Sequence, residues 1–164
     1  MNSNKKYIIL SDGTIYEGVG FGFDTEVLGE IVFNTSMTGY QEMLTDPSYR
    51  GQILVSTFPM IGNYGIYDDF NESINIQVKS YIVRDLCDDP FHYSNTKNLD
   101  QFLFENEIPG IHSIDTRAIT RKIRKFGSKM ALITSDSDID KAIEKIKKFG
   151  AYEDINYVNQ VSVK

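Results

Sequence analysis

The sequence predicts a layered α/β domain in which helices cover one face of stacked sheets. Its first half consists of short apolar runs broken by Gly, Pro and Asn, as strands are. After Leu99 the hydrophobic spacing changes to a helical period. The size also fits: 164 residues, 41% of them hydrophobic, suit one domain with a real core, and no internal repeat or low-complexity linker divides the chain.

Tyr7 to Leu10 and Ile15 to Phe21 flank Ser11-Asp12-Gly13-Thr14, where Asp-Gly suits the positive φ angles of a tight turn, so the chain opens as a β-hairpin. Glu30 to Asn34, Gln52 to Phe58 and Asn75 to Arg84 are rich in Ile, Val, Thr and Phe and read as strands. Thr38 to Leu44 fits a short helix, ended by Thr45-Asp46-Pro47-Ser48, a turn with proline preset at its second position. Leu99, Phe102 and Leu103 mark one later helix. Ala118, Ile119, Ile123 and Phe126 mark another, with Asp115 as N-cap and Gly127 as C-cap. Lys129 to Thr134 is a short strand. Ser135-Asp136-Ser137 then starts a helix with Ile139, Ala142, Ile143, Ile146 and Phe149 on one face, and Lys141, Glu144, Lys145 and Lys148 mostly turned to solvent, until Gly150 stops it. The domain therefore spans residues 1–150, and residues 151–164, without helical period, read as an extended tail leading toward a further unit.

Charge and composition exclude several functions. With 17 basic against 23 acidic residues the formal charge is −6, the wrong sign for a binder of nucleic-acid phosphates. The one cysteine, Cys87, cannot close an intrachain disulfide, which suits a reducing, cytoplasmic setting. The apolar run from Tyr7 to Leu10 is too short for a signal core, and no run approaches the roughly 20 residues of a membrane span. Without a secretory signal, Asn34-Thr35-Ser36 and Asn71-Glu72-Ser73 are chance matches to the glycosylation pattern.

No catalytic residue emerges. Cys87 lies among Asp85, Asp88 and Asp89, whose carboxylates disfavour a thiolate, and no Gly-x-Cys-x-Gly or Gly-x-Ser-x-Gly elbow is present. Asp88, Asp89 and His92 could hold a divalent ion, but a solvated acidic turn is the commoner arrangement, and no metal site is assigned. His112, flanked by isoleucines, reads as a strand residue facing its neighbours. Gly18-Val19-Gly20-Phe21-Gly22 lacks the last glycine of a dinucleotide fingerprint, because Phe23 stands there; alternating glycines in a strand more often admit another backbone. Asp115-Thr116-Arg117 is better explained by helix capping than by an aspartic-protease triplet. Ser48, near the tip of its turn, is either an ordinary turn serine bonded to its own backbone or a hydroxyl that meets a ligand.

One segment is not demanded by periodicity at all: Gly29-Glu30-Ile31-Val32-Phe33-Asn34-Thr35-Ser36-Met37-Thr38-Gly39-Tyr40-Gln41-Glu42, followed by Thr45-Asp46-Pro47-Ser48-Tyr49. It closely resembles the signature of the small subunit of glutamine-dependent carbamoyl-phosphate synthase. The likeness continues through Phe58-Pro59-Met60-Ile61-Gly62-Asn63-Tyr64-Gly65, Val83-Arg84-Asp85 and the stretch from Gly110 to Arg121. It implies the N-terminal domain of that subunit, with a three-layer swivelling β/β/α fold, and no catalytic group of its own. The implied partners are the class I glutaminase domain that follows in the family, the large subunit, and glutamine, while MgATP is used by the large subunit. By position, Ser48 would contact glutamine held on the glutaminase domain, and Ser36, Met37 and Thr38 resemble residues near the start of an ammonia path or at the interface. The family usually has His where Met60 stands, Gly where Lys79 and Ser80 stand, and Gly where Ala131 stands. The pathway implied is carbamoyl-phosphate supply for pyrimidine and arginine synthesis. Two rivals stay open: a free-standing, non-enzymatic interaction module on the same scaffold, and a metal-dependent hydrolase built on Asp88, Asp89 and His92.

Overall fold

A computed structural model describes residues 4–67, 69–91 and 96–150. In chain order the elements are β1 (Lys5–Leu10), β2 (Ile15–Gly22), β3 (Val27–Asn34), α1 (Tyr40–Thr45), a 3-10 turn (Pro47–Tyr49), β4 (Gln52–Ser56), β5 (Met60–Ile61), β6 (Ser80–Ile82), β7 (Asp85–Leu86), α2 (Leu99–Glu105), β8 (Pro109–His112), α3 (Thr116–Phe126), β9 (Lys129–Thr134) and α4 (Ile139–Phe149). The tail from 151 to 164 and His92 lie outside the described residues.

The mixed α/β class is as predicted. Within it, strands close into a barrel in the order β1-β2-β8-β6-β4-β3-β9, with β5 and β7 paired separately. β3, β4, β6 and β8 are joined by parallel pairings, the rest by antiparallel ones. Late strands complete the wall: β8 lies between β2 and β6, and β9 between β1 and β3.

Side-chain parity follows the wall, since successive strand residues face opposite sides. Ile8, Leu10, Ile31, Ile53, Val55, Ile82, Ile111, Ala131 and Ile133 share one cluster with Tyr16 packed against it, so every strand of the barrel contributes to the inward face. Their neighbours face out. Leu54 and Tyr81 join Tyr40, Leu44, Leu99 and Leu103 under α1 and α2, whereas Ile9 and Leu132 join Ala142 and Ile146 under α4. Ile119 and Ile123 of α3 belong to the inward cluster. A helix reaches the inside of a closed barrel only at an end, so α3 seats over a mouth. The helices therefore do not share one face, as the sequence had suggested; each follows the apolar side of the strands next to it.

The local expectations mostly hold. The opening hairpin forms, although only Gly13 takes positive φ, at 82°, while the Asp12 carboxylate accepts from the Thr14 N–H at 3.1 Å. Asp115 caps α3 by accepting from Ala118 N at 2.9 Å, and Asp138, just past the expected cluster, caps α4. At Gly18 a Cβ would lie 2.5 Å from Ile111 Cγ2 and 2.6 Å from the His112 carbonyl, which is the close backbone approach foreseen for that glycine. The expected strand from Asn75 to Arg84 shrinks to β6. Before it, Ser73 and Gln77 side chains bond each other and the Asn75 carbonyl, and Gln77 N donates to Leu44 O at 2.8 Å, so these groups are satisfied outside a ladder.

Candidate functional site

β3 and β4 run parallel, with Glu30 opposite Gln52 and Asn34 opposite Ser56. Parallel neighbours need a crossover. Here it is the segment 35–51, which contains every residue singled out for binding. Ser36, Met37 and Thr38 lie together on an exposed turn leaving β3, with Met37 69% exposed. Ser48 lies on the turn that enters β4. The two turns thus sit toward opposite ends of the β3–β4 pair, about four residues or ~13 Å of strand apart. What links them is the Asn34 side chain: its Nδ2 donates to the Tyr49 phenol at 2.9 Å, and its Oδ1 accepts from Ser36 N at 2.7 Å.

The Ser48 turn is held by its neighbours. The Asp46 carboxylate accepts from Ser48 N at 2.8 Å, and the turn closes through Tyr49 N to Asp46 O at 3.0 Å and Arg50 N to Pro47 O at 3.1 Å. The exposed Ser48 hydroxyl makes no hydrogen bond among the described residues. It is Asp46, not Ser48, that satisfies the backbone, which leaves the hydroxyl available to a ligand on a turn fixed by proline and carboxylate.

Sequence reasoning missed the residues that hold this crossover in place. α1 begins at Gly39, which has no side chain to cap it. The Tyr64 phenol takes that role, accepting from Gly39 N at 2.8 Å and Tyr40 N at 3.1 Å, while its ring stacks on Tyr40 at 4.2 Å. The Tyr40 phenol donates to Gly65 O at 2.5 Å. Burial pushes both phenols above their ordinary range, so they stay protonated and neutral. Gln41, fully buried, donates to Tyr67 O and to Asn71 Oδ1 at 2.8 Å and accepts from Tyr67 N at 2.9 Å. At the far end of α1, the Thr45 hydroxyl accepts from Glu72 N at 2.9 Å and the Ser73 hydroxyl donates to Thr45 O at 2.6 Å. A signal was present: Tyr40, Gln41 and Tyr64 stand inside the distinctive blocks, and polar groups at helix ends require partners.

The other candidates lie away from this crossover in the sequence. His112, on β8, meets the Phe21 ring edge-on at 5.9 Å and shares a 3.0 Å contact with the Ser113 hydroxyl. Cys87 is half-buried, its thiol toward the Asp89 carbonyl at 3.4 Å. Asp88 and Asp89 are exposed. Ser80 uses its hydroxyl to tie β6 to β8, donating to Pro109 O at 2.7 Å; Ala131 is fully buried. Among the described residues no helix is long and apolar enough to cross a membrane.

Comparison with known proteins places these features in context. Residues 8–133 match the family model described as "Carbamoyl-phosphate synthase small chain, CPSase domain". The chain is similar to the carbamoyl phosphate synthase small chain of Fusobacterium nucleatum, 48% identical over 97% of this chain and 44% of that one. It is likewise similar to that of Clostridium acetobutylicum, 46% identical over 98% of this chain and 45% of that one. A pyrimidine-specific small chain from Halalkalibacterium halodurans is 48% identical over 87% of this chain and 40% of its own length. The chain thus spans less than half the length of these relatives.

Proposed function

The chain belongs to the carbamoyl-phosphate synthase small-chain family, and from that premise we propose that it is the N-terminal domain of a glutamine-hydrolysing synthase, docking to the large subunit and completing the glutamine pocket. In this reading the class I glutaminase domain releases ammonia from glutamine. The large subunit then combines the ammonia with bicarbonate, at the expense of MgATP, to make carbamoyl phosphate for pyrimidine and arginine synthesis in the cytoplasm. This domain supplies no reacting group. The same reading assigns it the three-layer swivelling β/β/α arrangement of that family domain.

The observation that carries the proposal is the Ser48 turn: an exposed hydroxyl without a partner among the described residues, on a backbone held by Asp46 and tied through Tyr49 to Asn34. Ser48 contacts glutamine seated on the glutaminase domain. Ser36, Met37 and Thr38 offer hydroxyls and a thioether, uncharged groups that pass neutral ammonia without trapping ammonium. The test uses this domain assembled with its glutaminase domain and large subunit. Loss of one hydrogen bond costs on the order of 1 kcal/mol, so Ser48→Ala raises the glutamine KM about fivefold while ammonia-driven synthesis is unchanged. An unaltered KM would show that Ser48 does not touch glutamine.

A further inference from the structure

α3 is the most basic element of an acidic chain. Its 11 residues include Arg117, Arg121, Lys122, Arg124 and Lys125 and no carboxylate, against a chain charge of −6. Lys122 is paired with Asp12 at 2.9 Å, but among the described residues Arg117, Arg121 and Arg124 pair with no acid. Helix energetics explain only part of this. Cations in the last turn complement the negative end of the helix dipole, which suits Arg124 and Lys125; Arg117, in the first turn, sits at the positive end, where a cation is unfavourable.

These arginines converge. Arg117, Arg121 and Arg124 line a groove of about 380 Å³ with Arg84, from the loop before β7, and with Thr57 and Thr120; no carboxylate lines it. A neighbouring hollow, which Arg84 and Arg117 also line, carries the carboxylates of Asp85, 3.8 Å from Arg84, and Asp115. At the end of α3, Phe126 is 58% exposed with Lys122 and Lys125 over its ring at 5.7 and 5.0 Å. A small anion needs no exposed aromatic beside its site, whereas protein interfaces are enriched in arginine and aromatic side chains. The surface is also separate from the Ser48 turn, because α3 packs on the inward cluster and α1 on an outward one.

We propose that the arginine-lined groove along α3, together with the adjoining Phe126 hollow that shares Arg121 with it, is the surface that docks a carboxylate-rich face of the large subunit, leaving the α1 side for the glutaminase domain. This rests on the docking reading above. Four guanidinium groups offer bidentate geometry to carboxylates, and their charge complements an acidic partner.

The test measures binding of the small chain containing this domain to the immobilised large subunit, at low salt and in 0.5 M salt (~3 Å Debye length at 1 M against ~10 Å at 0.1 M). Arg117→Glu with Arg121→Glu should weaken low-salt binding on the order of 100-fold. The control, Lys147→Glu with Lys148→Glu on α4, carries the same charge change and should stay within about twofold; unchanged thermal melting of both variants shows intact folding. If the wild-type chain binds and the arginine variant binds equally well, the groove is not the docking surface and the docking reading stands. Equal loss in both variants also overturns the proposal, as bulk charge then accounts for binding. If the wild-type chain fails to bind at all, the docking reading falls and this proposal with it. Arginine-dependent dimerisation of the chain alone would assign the face to a second copy and overturn it as well.

Discussion

Tyr64→Phe isolates the device that positions the crossover. The substitution keeps the ring, and with it the 4.2 Å stack on Tyr40, but removes the oxygen that accepts from Gly39 N at 2.8 Å and Tyr40 N at 3.1 Å. Gly39 has no side chain that could replace it. An ordinary capping residue contributes about 1 kcal/mol, and a net hydrogen bond about 0.5–1.5 kcal/mol. Tyr64 is half-buried, so water recovers part of one bond, and the expected loss is about 2 kcal/mol. For a domain of this size that lowers Tm by roughly 4–8 °C. Amide hydrogen exchange gives the site-specific readout, since protection at Gly39 and Tyr40 should fall more than at the barrel strands. A Tm within about 1 °C of wild type, with exchange at those two amides unchanged, would refute the claim that the Tyr64 phenol caps α1.

Two further outcomes are expected. Burial pushes the Asp12 carboxyl up, but hydrogen bonds from Lys122 and Thr14 outweigh it and hold it at about 2 against an ordinary 3.8. A depressed carboxylate stabilises the fold above pH 3.8 and ceases to do so as pH falls through about 2. Asp12 is about one-third exposed, so after solvent screening Asp12→Asn should cost about 1–2 kcal/mol at pH 7, and urea titration should show that gap reduced by about half at pH 3. A gap independent of pH would show that the charge of Asp12 is immaterial. In the core, the Ser56 and Tyr81 hydroxyls lie 2.6 Å apart, both fully buried. Tyr81→Phe leaves the Ser56 hydroxyl unpaired and should cost about 1–3 kcal/mol in chemical denaturation, most of which the added Ser56→Ala restores. Strictly additive losses would show that the two hydroxyls act independently.

Local physics is legible in the sequence wherever neighbours along the chain settle it. The Ser11–Thr14 turn, the Asp115 and Gly127 caps, and the strand Lys129–Thr134 all depend on residues within a few positions of one another, and all appear. So does the fixed turn bearing Ser48, because the Asp46 carboxylate and Pro47 lie beside it. Closure of the wall was not legible, since apolar alternation tells which residues face inward but not which strand lies next to which. β8 finds β2 and β6, and β9 finds β1 and β3, through hydrogen bonds that leave no periodic trace.

The same distinction governs the functional surface. The ordered blocks of sequence pointed to the family, and that resemblance, by position, marked Ser36, Met37, Thr38 and Ser48 as candidates. Only the fold decided that Asn34 and Tyr49 would join the two turns, that Tyr64, 24 residues beyond Tyr40, would cap α1, and that Arg84 would meet the arginines of α3. Side chains distant in sequence become neighbours only when the backbone between them has buried its apolar face. Chain order encodes the chemistry available, and packing selects which groups meet.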